Sequence, residues 1–163
     1  MSRTCFKGET TLAEYALDVD RAAYFWTVRY YRNMLCGGHL WCCLPCAGSN
    51  IRDAVAAEHV AVTSTHILYC RDRHKTCWRM SMCDMPRITK KIPIDRVADI
   101  EIIEPAGDCL PPNMLYTVMV QTAAKSQEGA ELVITGLSES DVYDFRKMVM
   151  GRKKVTLNRM QRG

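Results

Sequence analysis

A chain of 163 residues, 48% hydrophobic and 25% charged, has the composition of one ordinary globular domain with appendages, long enough to bury a single core. Its formal charge of +4 is modest and excludes neither an acidic nor a neutral partner. No stretch reaches the roughly 18 apolar residues of a spanning helix, and Met1 to Phe6 holds no apolar core of secretory length, so the expectation is a cytoplasmic protein whose nine cysteines are reduced thiols.

Thr11 and Glu14 have the spacing of a capping box, and Leu12, Tyr15, Ala16, Val19, Ala23, Trp26 and Tyr30 recur at helical spacing. The pattern predicts a helix from about Leu12 to Met34, its second half also readable as a strand from its aromatic and β-branched content. Arg29 and Arg32 lie there beside Trp26, Tyr30 and Tyr31, a mixture suited to a surface that is apolar at one end and wet at the other. Leu35 to Gly48 carries no charge, three glycines and a proline, which predicts a loop with an apolar tip. Asn50 to Glu58 is Ala-rich and helix-permissive, with Ser49 or Asn50 as its cap.

From His59 the texture becomes that of strands. HVAVT, HILYCR and TCWRMSM are short alternating runs divided by Ser64, by the charged turn Asp72 to Lys75 and by the break at Asp84 to Pro86. Lys90 to Glu104 is the longest run committed to one structure, predicting two strands joined at a corner, with Pro93 at an edge or bend because it lacks a ladder donor. Beyond it, Ile100 and Ile102 fall on one side of the strand and Asp99 and Glu101 on the other, the pattern of a half-buried antiparallel strand. Leu115 to Thr122 and Glu131 to Gly136 supply two more strands across the polar linker Lys125 to Gly129. Ser138 and Asp141 then have capping-box spacing, Val142, Phe145 and Val149 form a buried helical stripe, and Gly151 is expected to end that helix before a loosely held basic tail.

The expected architecture is α+β. A helical N-terminal extension over residues 1–49 precedes a domain over 50–151 of six or seven antiparallel strands, bent into a partly open barrel and closed by a C-terminal helix; residues 152–163 form the tail. The path from EHVAVTSTHILYCRD through IPIDRVADIEI to the terminal helix resembles the pleckstrin-homology superfold, especially its bacterial-type variants. The resemblance covers about Glu58 to Met150 and is most specific over Ile92 to Ile100, where isoleucine and proline are followed by a hydrophobic residue, Asp95, Arg96, and a hydrophobic pair around Asp99. Such domains host lipid-binding, peptide-binding and purely structural members, so the fold alone assigns no role.

Charge is unevenly spread. Arg71 to Arg96 holds eight Lys and Arg against three acids, Arg146 to Arg162 holds seven against none, and Val97 to Asp144 holds nine acids against Lys125 alone. If the fold keeps these segments apart, an anionic partner is favoured on the basic side. In lipid-binding pleckstrin domains an early hairpin carries basic residues that grip inositol phosphates. The turn holding Arg71, Arg73 and Lys75 is similar in place and charge, and Arg79, Lys90 and Lys91 are expected near it. Asp72 spoils a purely cationic cradle.

Cys36, His39, Cys42, Cys43 and Cys46 form the most unusual cluster. Two-residue spacers suit tetrahedral zinc, with Cys36, His39, Cys42 and Cys46 as the ligand set, but zinc modules usually separate two ligand pairs by a dozen residues or more, so no metal is favoured. Cys42, Cys43 and Cys46 beside Leu40, Trp41 and Leu44 also suit acylation or a membrane contact, and equally a segment packed over the barrel end with its cysteines acting as small hydrophobes. Catalysis is not expected: the carboxylates Asp99 and Glu101 face outward, and no phosphate-cradling glycine loop appears. No cofactor is implied. Nucleic acid is disfavoured because no stacking ladder or recognition helix accompanies the basic segments. The sequence therefore points to a non-catalytic module recruited to acidic phospholipid at a membrane surface, or to an adaptor for a protein partner.

Overall fold

The structure is a computed structural model that describes residues 6, 8–37, 47–75, 84–104, 115–123 and 130–160, with only the backbone described at 32–37, 47–48, 157, 159 and 160. The architecture is α+β. Strand β1 (Thr11–Tyr15) is followed by helices α1 (Val19–Gly37) and α2 (Ala47–Ala56), then by β2 (Glu58–Thr63), β3 (His66–Arg71), β4 (His74–Lys75), β5 (Asp84–Met85) and β6 (Ile88–Pro93). A single 3₁₀ turn, Ile94–Arg96, leads to β7 (Val97–Ile103), β8 (Tyr116–Thr122), β9 (Leu132–Leu137) and the long helix α3 (Glu139–Met160).

The strands form an antiparallel sheet in the order β1-β2-β3-β6, a second in the order β7-β8-β9, and a two-stranded ribbon of β4 and β5. No closed barrel is formed among the described residues. The corner between the two main sheets falls where the isoleucine-rich run predicts it. Pro93 ends the outer strand β6, where a missing N–H costs no ladder bond. The 3₁₀ turn swings the chain into the second sheet, anchored by the Ile94 N–H, which donates to the Thr65 carbonyl at 2.9 Å. Across the corner, Ile92, Ile94, Val97 and Ile100 are all buried, so one short segment feeds both sheets into the same core.

Helix α3 starts as its sequence signature requires. The Ser138 hydroxyl accepts the Asp141 N–H at 3.2 Å and donates to the Asp141 carboxylate at 2.7 Å. Val142, Phe145 and Val149 then face the core, fully enclosed, and the Phe145 ring meets Tyr15 edge-on with centroids 5.4 Å apart. The Tyr15 hydroxyl donates to Asp144 at 3.0 Å, which ties the first strand to this helix.

Two expectations about the ends of helices are corrected. Thr11–Tyr15 is not the start of a helix; it is the edge strand of the first sheet, paired with Thr63 to Val60. The Thr11 hydroxyl does reach Glu14, but side chain to side chain at 3.3 Å, and the helix begins at Val19 with Asp18 accepting the Arg21 N–H at 3.1 Å. Pairing with β2 satisfies the backbone of this stretch and buries Tyr15, which a solvent-facing helical turn would not do. The segment set apart as an extension thus contributes a strand to the sheet. Gly151, in turn, does not end α3, which runs on to Met160. Glycine stops a helix by taking a left-handed conformation, and Gly151 has not taken one. Its cost inside a helix, about 1 kcal/mol, is spread among good helix formers on both sides.

Candidate functional site

The residues expected to grip an anionic headgroup start from adjacent strands but do not converge. Arg71 pairs across the ladder with Glu58, its Nη1 lying 3.8 Å from the Glu58 carboxylate. Lys90 and Lys91 are neighbours on β6, and neighbours on a strand point to opposite sides of the sheet. Lys90 accordingly donates to the Glu131 carbonyl at 3.2 Å, whereas Lys91 forms an ion pair with Glu9. That separation was legible in the sequence, from the same alternation that predicted the strand. Arg73 and Lys75 lie past the end of β3, where with His59, Asp72 and His74 they border an open depression against α2. Asp72 faces His59 at 3.7 Å and Arg87 at 3.5 Å, which places a carboxylate inside the basic turn. Arg79 lies outside the described residues.

Glu58 lies beside Arg71 and Tyr69 in this region. Burial pushes it above its usual value of 4.5, and Arg71, the Tyr69 hydroxyl and His74 only partly offset that. Burial, with Glu58 beside it, likewise pushes the Tyr69 phenol up to about 12. A carboxyl raised on folding binds more protons in the folded chain than in the unfolded chain just above pH 4.5, so its contribution to stability is present below that point and is lost as pH rises through its folded value. Glu58→Gln is therefore expected to flatten the fall in stability between pH 4.5 and neutrality, measured as the difference between denaturation midpoints at the two pH values. An unaltered difference would place that pH dependence on another group.

The other basic surface is α3 from Arg146 onward. Arg146, Lys147, Arg152 and Lys154 are exposed there, and no carboxylate pairs with any of them among the described residues. Lys153 is the exception, folded back to donate to the Ala98 carbonyl at 3.1 Å, which pins the helix over the start of β7. Cations suit this end of a helix because its free carbonyls carry partial negative charge. Four residues apart on one side stand Lys147, Gly151 and Val155, with Met148 beside them, and Val155 is 53% exposed. With the exposed carboxylate of Asp144 at its N-terminal end, a strip of Met148, Gly151 and Val155 thus runs between Lys147 and Lys154 on one flank and Arg152 on the other. The two basic regions stand at opposite ends of the first sheet. The Arg71 turn follows the last residue of β3, while Lys153 meets β7 just after the corner, which adjoins the first residues of β3. Along a six-residue strand that is roughly 20 Å.

Cys36 has only its backbone described, within α1, and His39, Leu40, Trp41, Cys42, Cys43, Leu44 and Cys46 lie outside the described residues. Among the described residues no group of three or more His, Cys, Asp or Glu is placed to hold a metal ion. The expectation of reduced thiols fails at Cys70, which is fully buried and disulfide-bonded; a cysteine count does not determine whether two sulfurs meet. Among the described residues no helix is long and apolar enough to cross a membrane. No family model matches this sequence, and no curated protein or solved structure matches it either.

Proposed function

We propose that the protein is a non-catalytic, pleckstrin-like binding module that attaches peripherally to an anionic membrane surface through the second half of α3. The reading of the fold is supported by the four-stranded and three-stranded antiparallel sheets joined at one corner and followed by a C-terminal helix. The reading of function rests on one observation: α3 continues past Gly151 as an acid-free helix with exposed lysines and arginines flanking an exposed Val155. A helix of this kind lies in the headgroup region with its apolar strip towards the acyl chains and its cations on the phosphates. Arg73 and Lys75 serve as a second, weaker contact, since Arg71 and Lys91 already face carboxylates.

Each basic side chain near an anionic surface contributes about 1 kcal/mol. Arg152→Gln with Lys154→Gln is therefore expected to weaken partitioning onto phosphatidylcholine vesicles containing phosphatidylserine by roughly 30-fold. Raising the salt should weaken binding of the unmodified protein in the same sense. Sedimentation with vesicles, with and without phosphatidylserine, measures both effects. Binding lost only on replacing Arg73 and Lys75 would move the contact to the hairpin, and failure of the unmodified protein to sediment with anionic vesicles would leave the adaptor reading in its place.

A further inference from the structure

A cavity of about 520 Å³ lies between α1, α2, the ends of β2 and β3, and the outer side of β9. It falls in the size range of sites that enclose small organic ligands, roughly 300–1,000 Å³. Leu17, Trp26, Ile51, Val55 and Val133 make its walls apolar. Three charged groups also line it: Arg29, Arg71 and Glu58. Two guanidiniums against one carboxylate leave an excess of positive charge at the edge of an apolar cavity that is open to solvent.

Arg71 is the most informative of the three. Its side chain is 29% exposed, yet its Nε is buried and has no hydrogen-bond partner. Glu58 approaches Nη1 alone, at 3.8 Å, beyond hydrogen-bonding distance. The accessible N–H groups of this guanidinium, which lines the cavity, therefore have no hydrogen-bonded carboxylate and can take an incoming one. Arg29 lies over the Trp26 ring, 5.4 Å from its centroid, which puts a second, solvent-exposed cation at the cavity rim.

We propose that this cavity binds a single-chain aliphatic carboxylate of the fatty-acid class, its carboxylate on the Arg71 guanidinium and its chain along Trp26, Ile51, Val55 and Val133. Charge selects the class. A neutral lipid would leave the guanidinium without a hydrogen-bonded carboxylate, and an aliphatic ammonium would meet two cations. Glu58 accommodates the incoming charge: burial already holds its carboxyl above the usual range, so it takes up a proton more readily as a second carboxylate arrives. This site is separate from the α3 surface and does not depend on the membrane reading.

The test uses the full chain in the absence of vesicles, with dodecanoate below its micelle concentration as the probe and titration calorimetry as the readout. Dodecanoate is expected to bind with one-to-one stoichiometry, and dodecan-1-ol at least tenfold more weakly. Arg71→Met should weaken dodecanoate by tenfold or more and bring the acid and the alcohol close together, whereas Arg73→Ser should leave both unchanged. Ala54→Phe, which places a ring in the cavity while keeping Arg71, is expected to abolish binding of both compounds. Because a variant that fails to fold decides nothing, the unmodified protein is also labelled with a diazirine-bearing fatty acid and the adduct mapped by mass spectrometry. Adducts on α1, α2 or β9 are expected. No binding of dodecanoate by the unmodified protein, equal affinity for acid and alcohol, or adducts confined to α3 would each overturn the assignment.

Discussion

Phe145→Ala is expected to lower the unfolding free energy by about 3–5 kcal/mol, the range for emptying a fully enclosed aromatic position. The ring is wholly buried where α3 crosses the two sheets, in contact with Tyr15 from the first strand and within a core that includes Val118 and Ile134 from the second sheet. Removing it forfeits the transfer of a large apolar surface, leaves a cavity that two rigid sheets cannot close, and deletes an edge-to-face contact worth about 0.5–1.5 kcal/mol. Against a total stability of about 5–15 kcal/mol, that is a large share. The check is a denaturant midpoint that falls sharply with the slope unchanged. Val155→Ala on the same helix is the internal control, since a half-exposed valine should alter stability by about 0.5 kcal/mol or less. A loss at Phe145 as small as that at Val155 would mean that α3 is not seated on the sheets as described.

The second large effect is expected at Gly136 and has a different cause. Its φ is +105°, a conformation that side chains rarely adopt, and an added Cβ would stand 3.0 Å from the Ala22 Cβ and 3.7 Å from Leu17 Cδ2. The Gly136 carbonyl also accepts the Asp18 N–H at 2.9 Å, so the start of α1 is docked on β9 at this one residue. Gly136→Ala adds backbone strain of about 1–3 kcal/mol to an overlap that α1 must move to relieve, for a total loss of about 2–4 kcal/mol. Adding Ala22→Gly removes the overlap and leaves the strain, so the double variant should recover part of the loss and no more. Full recovery would assign the whole effect to the side-chain clash, and no recovery would assign it to the backbone. Since Leu17 also lines the cavity beside Arg71, displacement of α1 should weaken dodecanoate binding in the same variant.

These two residues mark the boundary of what could be read in advance. The enclosure of Val142, Phe145 and Val149 follows from helical spacing, the cap at Ser138 from its distance to Asp141, and the burial of Ile100 with exposure of Asp99 and Glu101 from strict alternation. The corner at Pro93 follows from a missing donor. Each of these is decided within a few residues, because period, cap and imino ring act locally. Beyond the strand alternation that separates Lys90 from Lys91, the charge-bearing surfaces were legible as composition only. Which lysine or arginine is free depends on carboxylates distant in sequence, as Lys91 meets Glu9 and Lys90 meets the Glu131 carbonyl.

The sequence by itself determined the α+β class, the strands β2, β3 and β6 to β9, the bent path through Lys90 to Glu104, and the buried stripe of the last helix, whereas the expected strand TCWRMSM lies outside the described residues and the turn and break on either side of it hold the short strands β4 and β5. Only the tertiary structure decided that Thr11 to Tyr15 is a strand, because helix and strand compete there within a small local preference and the unpaired edge of β2 tips the balance. It alone decided that α3 passes through Gly151, since a glycine ends a helix only where the following chain has somewhere to turn. And it alone assembled the cavity, whose lining runs from Leu17 to Thr135, a set of positions that no spacing rule connects and that only the docking of α1 and α2 against both sheets brings together.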